Sequence, residues 1–276
     1  MSQDTPVVAS LDWLDDHLDD PTVRVVDVRD AWEYDSIGHV PGAVSIPFDA
    51  FRRGGDGTDA AGGGEETATD EGMLPGVERF GALLGEAGIS REDTLVAYDD
   101  EHGVFAARFV VTALMYGHED VHLLGGDYSA WSRDHAVTTE APGFERVDYA
   151  ALVPDDRPLV DASAVEAAVD DPHAVVVDTR TRAEYDEGHI AGAVQLDWRA
   201  LVDPESRGLL PREELLNVLA DHGIVPENRV VLYCNTARRI SHTYVALRWV
   251  GFPEVDFYEG SLTDWTERGR ELVPGE

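Results

Sequence analysis

The sequence predicts an α/β protein made of two tandem copies of one domain, each a mainly parallel sheet flanked by helices on both faces. Three observations predict it. Val25–Phe48 (VVDVRDAWEYDSIGHVPGAVSIPF) and Val176–Trp198 (VVDTRTRAEYDEGHIAGAVQLDW) are two versions of one segment. A second block repeats in the same order: Leu95–Tyr98 with Gly117, Gly126 and Trp131 answers Val231–Tyr233 with Gly251, Gly260 and Trp265. Repetition of this kind marks duplicated structural units. Within each half, β-branched runs alternate with helical stretches, the layout that a parallel sheet requires.

The elements follow in order. The β-branched runs Val23–Val28 and Ala174–Asp178 read as buried strands. A short helical segment passes through Glu33 or Glu184, and the pattern G-H-V/I-x-G-A-V then enters another strand. Next comes a helix opening near a proline, Pro75–Ala87 and Pro211–His222, with Leu215, Leu216 and Leu219 spaced for one apolar face. A third strand, Thr94–Tyr98 or Arg229–Tyr233, leads through a loop into a long apolar helix, Val104–Tyr116 or Arg239–Val250. The last strand, Val121–Leu124 or Val255–Tyr258, ends in glycine and a short helix that carries a tryptophan. The domains are assigned to residues 1–139 and 140–276, joined by a linker near Thr139–Pro154. The first half is the longer one because of Arg52–Gly72, a Gly-, Asp-, Glu- and Thr-rich stretch that reads as a solvated loop.

Charge narrows the function classes. The 276 residues hold 55 Asp and Glu against 21 Lys and Arg, a formal charge of −34, and every one of the cations is arginine. A phosphate surface needs a basic footprint, so nucleic-acid and anionic-membrane partners are disfavoured. Hydrophobic residues make up 43% of the chain, enough for packed cores. Met1–Pro6 lacks the basic start of a signal peptide and no apolar run is long enough to span a bilayer, so the expected location is the cytoplasm. A dense carboxylate surface without lysine also suits molar salt, where the Debye length is about 3 Å and like charges cease to repel. An extreme halophile is the expected source. The melting temperature should then fall steeply as salt is removed, and an equal value in molar and millimolar salt would refute the idea.

Duplication also separates architecture from chemistry. Asp27 with Arg29, Asp178 with Arg180, and the histidines His39 and His189 occur in both halves and read as structural. The loop before the long helix differs. It is Asp99-Asp100-Glu101-His102-Gly103-Val104 in the first half and Cys234-Asn235-Thr236-Ala237-Arg238-Arg239 in the second. One loop would repel an anion and the other would attract it, which points to the second half.

Cys234 is the only cysteine, so neither an internal disulfide nor a multi-cysteine zinc site is available. It sits beyond the carboxyl end of a strand, where such sheets bind ligands, and at the entry to a helix. Unpaired backbone N–H groups and the positive end of the helix dipole favour a thiolate there, and Arg238 and Arg239 add charge. The alternative for an isolated cysteine is a small inert core residue.

Two further motifs are decoys. His118-Glu119-Asp120-Val121-His122 matches the zinc-protease pattern H-E-x-x-H. That chemistry needs one helical turn, whereas the equivalent Phe252–Asp256 enters a strand, which sets such residues about 13 Å apart. Gly62-Gly63-Gly64 lacks the lysine of a phosphate loop.

The D-x-R, G-H-I-x-G-A, L-Y-C, G-F-x-x-V and Y-x-G-S-x-x-W series (Tyr258 to Trp265) resembles the two-domain rhodaneses, the thiosulfate and 3-mercaptopyruvate sulfurtransferases. The likeness runs from Val7 to Trp265. It implies that the first domain lacks the nucleophile and carries Asp99 in its place. It implies that Cys234 accepts a sulfane sulfur as a persulfide and passes it to a thiophilic acceptor such as cyanide or a thiol. The cradle would be Asn235, Thr236, Ala237, Arg238, Arg239 and Ile240, with no metal and no cofactor. The partners implied are a small sulfur donor and a small acceptor, with persulfide delivery to a protein as the alternative. Mercaptopyruvate-using relatives carry arginine where Glu184 aligns, so thiosulfate is the expected donor; Arg182 could substitute for that cation, but it reads first as an exposed charge on a helix. The loop also resembles that of dual-specificity phosphatases and arsenate reductases, but their arginine falls at Ile240 here. The narrower cradle suits a sulfur atom better than a tetrahedral oxyanion.

Overall fold

The computed structural model describes residues 7–53 and 73–275. Most of Arg52–Gly72, including the loop predicted there and the glycine triplet, lies outside the described residues. By their contacts the described residues form two compact units: 7–53, Leu74–Asp155 and Pro204–Gly208 make the first, and Met73, Asp156–Asp203 and 209–275 the second.

The first unit holds β1 (Val8–Ala9), α1 (Leu11–His17), β2 (Val23–Asp27), α2 (Ala31–Ser36), β3 (Val44–Ser45), α3 (Val77–Glu86), β4 (Thr94–Tyr98), α4 (Val104–Met115), β5 (Val121–Leu124) and α5 (Tyr128–Asp134). Its sheet has the order β1-β5-β4-β2-β3 and every pairing is parallel. Leu95, Val96, Ala97 and Tyr98 are all buried. Successive strand residues point to opposite faces, so the sheet is covered on both. On one side Leu14, Tyr34 and Trp131 pack against Val25, Val96 and Tyr98. Elsewhere in the unit Phe109 meets Phe51 and Phe80 ring to ring at 5.4 and 5.9 Å.

The second unit repeats this plan with α6 (Ala162–Val169), β6 (Ala174–Asp178), α7 (Arg182–Glu187), β7 (Val194–Gln195), α8 (Arg212–Asp221), β8 (Arg229–Tyr233), α9 (Arg238–Trp249), β9 (Val255–Phe257) and α10 (Ser261–Glu267). The sheet order is β7-β6-β8-β9, again parallel throughout. Where the first unit has β1, the second has a single parallel bridge from Leu159 to Phe257.

Three features depart from the sequence reading. Leu215 and Leu219 are fully buried, but Leu216 is 38% exposed. Residues four apart share a helix face, and the intervening one is rotated about 100° toward solvent. The edge strand β1 and the helices α1 and α6 were not anticipated; β1 is a two-residue pairing, which leaves no periodicity to read. Finally, the connecting stretch after residue 139 is a strap on the first unit: Val147 N–H donates to Gly85 O (3.0 Å), Leu152 N–H to Tyr116 O (3.0 Å), and Tyr149 Oη lies 2.9 Å from His118 Nδ1.

The repeated polar residues are structural. In the first unit Arg29 bonds both carboxylate oxygens of Asp27 and reaches Gly38 O at 2.7 Å, while Tyr98 donates to Asp27 at 2.5 Å. Arg180 makes the same bonds to Asp178 and to Gly188 O. Each pair ties a strand end to the turn after the following helix. His39 stacks on Tyr34 and His189 on Tyr185, both at 3.6 Å between centroids, and each Nδ1 lies 3.0 Å from its tyrosine's carbonyl oxygen. The histidines of the zinc-like motif have separate partners. His118 Nε2 bonds Asp93 O, and His122 Nε2 lies 2.9 Å from Asp120.

Candidate active site

In the second unit, β8 delivers Cys234 to the carboxyl end of an interior strand, and the chain turns through Asn235, Thr236 and Ala237 into α9. The turn requires Ala237 at φ 59°, a left-handed conformation that costs a residue with a Cβ about 1–2 kcal/mol. Its counterpart His102 sits at φ 58°, so the strained reversal belongs to the fold. Arg238 N–H donates to Thr236 O at 2.7 Å, which tightens the turn.

The matching loop in the first unit shows what this backbone can hold. Asp99 Oδ1 accepts the N–H groups of Glu101 and Gly103, both at 2.8 Å. Its Oδ2 accepts those of Phe105 (2.7 Å) and Ala106 (2.9 Å). Burial pushes the Asp99 carboxyl up from its ordinary value, while the four amide donors pull the other way. The loop is an anion nest, filled in this unit by the chain's own carboxylate.

Cys234 is 1% exposed and is held from a second direction by the start of α10. Its N–H donates to Ser261 Oγ at 3.1 Å, and that hydroxyl donates to Tyr258 O at 2.9 Å and lies 4.0 Å from Cys234 Sγ. Leu262 N–H donates to Cys234 O at 3.1 Å, and Thr263 Oγ1 to Asn235 O at 3.1 Å. Ser261 adopts φ 50°, a second strained residue beside the thiol. Sequence reasoning used Ser261 only as part of a motif. The signal that it touches the cysteine was available in the repeat, because its counterpart is Asp127, which caps α5 instead.

Glu184 comes from another element. It is the third residue of α7 and closes a capping box with Thr181, whose Oγ1 donates to Glu184 Oε2 at 2.6 Å. The carboxylate also reaches the Cys234 loop. Arg239 Nη1 donates to its two oxygens at 2.9 and 2.7 Å, and Asn235 Nδ2 donates to Oε1 at 3.2 Å. Arg239 was expected to meet an incoming anion, and its guanidinium is instead engaged by this carboxylate. Arg182 pairs with Asp186 on the exposed face of α7, away from any compensating role.

Burial alone would raise the Glu184 carboxyl; Arg239 and then Thr181 outweigh it and bring it down to about 2 from 4.5. A depressed folded value means stability that is present above about 4.5 and lost as pH falls toward about 2. The stability difference between wild type and Glu184→Gln should therefore close over that acid range. A difference that stays constant through it would show that the ion pair contributes nothing.

The predicted residues are contiguous: Cys234, Asn235, Thr236 and Ala237 make the turn and Arg238, Arg239 and Ile240 begin α9, with Glu184 and Ser261 added from elsewhere in the unit. Among the described residues no group of three or more His, Cys, Asp or Glu side chains is placed to hold a metal ion. No described helix is long and apolar enough to cross a membrane.

Known proteins resemble this chain in sequence and fold. The rhodanese-like domain model matches residues 10–134 and 161–268. A thiosulfate sulfurtransferase of Pseudomonas aeruginosa is 32% identical, over 95% of this chain and 94% of its own length. The sulfur carrier protein TtuD of Thermus thermophilus is 30% identical, over 94% and 93%. Among solved structures, the 3-mercaptopyruvate sulfotransferase SseA of Escherichia coli superposes with a TM-score of 0.78 at 24% identity, covering 93% of this chain and 99% of that one, a likeness of fold. With its motifs matched in order in both halves, the chain belongs to the rhodanese-like domain family and carries that domain twice.

Proposed function

We propose that the protein is a sulfurtransferase that moves a sulfane sulfur from thiosulfate, through a persulfide on Cys234, to a thiophilic acceptor. One observation carries the reading. Cys234 occupies the register at which the sister loop closes four backbone N–H groups on the Asp99 carboxylate. In this reading the first unit is the non-catalytic copy and the second unit the catalytic one.

The chemistry balances without an external base. The Cys234 thiolate attacks the outer sulfur of thiosulfate, the S–S bond of the donor breaks, and its electron pair leaves with sulfite. The resulting persulfide anion lies in the amide nest of residues 235–240, preorganised as such dipoles are for developing charge. An acceptor such as cyanide then attacks the outer sulfur and returns the thiolate, a double-displacement cycle with ping-pong kinetics. Arg238 supplies positive charge at the loop, while Arg239 is balanced by Glu184.

A second reading, carriage of the sulfur to a protein acceptor, is supported by the likeness to the Thermus sulfur carrier. Intact mass after incubation with thiosulfate should show one added sulfur atom, removed again by cyanide. No mass gain would end both readings. Sluggish turnover with every small acceptor, with fast transfer to one protein, would favour carriage.

A further inference from the structure

We propose that Asp264 is a positioning residue for the chemistry of Cys234: its bond to Tyr258 clasps the turn at the start of α10 and keeps Ser261 against the thiol. This role rests on the sulfurtransferase reading for the reaction it serves. A chain of short contacts leads from the carboxylate to the cysteine. Tyr258 Oη donates to Asp264 Oδ2 at 2.6 Å, and Asp264 N–H donates to Gly260 O at 3.0 Å. Between them the turn closes with Ser261 N–H on Tyr258 O at 3.2 Å. Tyr258 O also accepts the Ser261 hydroxyl, which itself accepts Cys234 N–H and lies 4.0 Å from the sulfur. Asp264 lies directly over this backbone, because a Cβ at Gly260 would collide with its side chain.

The first unit lacks the clasp. Leu124, Ala130 and Asp127 stand there where the second unit has Tyr258, Asp264 and Ser261. Asp127 keeps an extended backbone (φ −121°) and caps α5 by accepting Ala130 N–H at 3.0 Å. In the second unit that position has φ 50°, α10 begins at Gly260 without a side-chain cap, and the Ser261 hydroxyl is turned to Cys234. A left-handed residue and an uncapped helix start both favour unwinding, so this turn needs another tie. The Tyr258–Asp264 bond spans it. Tyr258 is 1% exposed, and a buried hydroxyl that loses its acceptor is costly. Arg268 Nε, on the exposed side, holds the carboxylate at 2.8 and 2.7 Å. Burial alone would raise the Asp264 carboxyl; Arg268 and then Tyr258 outweigh it and bring it below its ordinary value, so the acceptor is charged at neutral pH.

The test follows sulfur uptake from thiosulfate in a single turnover, by intact mass after rapid quenching. Asp264→Ala and Tyr258→Phe should each lower the saturating rate about two- to tenfold, the factor to which one hydrogen bond's contribution converts. In the sulfurtransferase reading the donor's charge is met by the loop amides and Arg238, so the half-saturating thiosulfate concentration should stay as in wild type. The two variants combined should do no worse than either alone. Asp264→Asn, which keeps an oxygen toward Tyr258 Oη, should restore the rate. In a Ser261→Ala background, Asp264→Ala should cost nothing more. Cys234 is 1% exposed, so loosening the start of α10 should also speed its alkylation by iodoacetamide by a similar factor, and Asp264→Asn should not. If Asp264→Ala does not fold, Tyr258→Phe, which deletes a single oxygen, carries the same comparisons. Wild-type uptake in both single variants overturns the proposal, as does a loss that persists undiminished in the Ser261→Ala background. A change in half-saturation alone, or unaltered alkylation in the single variants, overturns it as well. Failure of the wild type to take up sulfur would count against the sulfurtransferase reading, while the alkylation rates still judge Asp264.

Discussion

Replacing Cys234 with serine should abolish sulfur uptake while leaving the fold intact. The expected result is no added mass after thiosulfate treatment and no thiocyanate from cyanide, with a melting curve that overlays wild type. Serine fills nearly the same volume at a position that is 1% exposed and leaves the backbone bonds from Cys234 to Ser261 and Leu262 in place. What it removes is the nucleophile, since a hydroxyl is not appreciably ionised near neutral pH and cannot form a persulfide. Residual sulfur transfer at the wild-type rate would overturn the assignment of Cys234, because no other cysteine exists to take the role.

Asp99→Asn should instead leave the chemistry of Cys234 untouched and destabilise the first unit. The asparagine is isosteric, but its NH2 group would face backbone N–H donors where Oδ1 or Oδ2 now accepts two of them. Two buried amides facing a donor rather than an acceptor cost about 2–4 kcal/mol. Chemical denaturation should show that loss, read by fluorescence or by hydrogen exchange in Glu101–Ala106. A variant as stable as wild type would mean that the nest does not need its carboxylate, and would remove the main support for reading the sister loop as an anion cradle.

The two outcomes bear on each other because the repeat gives the protein an internal comparison. The D-x-R pairs and the stacked histidines behave alike in both units, as their repetition implied. Among the residues that differ between the units are Asp99 against Cys234, Val104 against Arg239 and Asp127 against Ser261. Asp99 fills the nest and Asp127 accepts His102 N–H from it, while Arg239 and Ser261 lie with Cys234 at the second unit's turn.

Much of this was legible along the chain. The two sheets, the long helices α4 and α9 and the place of Cys234 follow from β-branched runs, helical period and strand–loop–helix order. These signals act over a few residues and survive in any context that buries one face. The helix ends were read to within one or two residues, since prolines and turn glycines mark them.

Three features were not legible. Leu216 carries the hydrophobicity of a core residue, and only the rotation of α8 against its sheet turns it toward solvent. Strand β1 consists of two residues whose partner, β5, lies more than a hundred positions later, too short and too distant for any periodicity. Glu184 was read for its bearing on the donor, and nothing along the chain signalled its pairing with Arg239.

Composition, duplication and the uniqueness of one thiol settled the architecture and the half in which chemistry is to be sought, because local geometry and repetition are properties of neighbouring residues. Which charges cancel was decided by folding alone. Glu184 and Arg239 are far apart along the chain, and they meet because parallel strands β6 and β8 bring the start of α7 and the start of α9 to the same end of one sheet. Attraction between them falls off within several ångströms, so a pairing of this kind exists only once the sheet has set that distance.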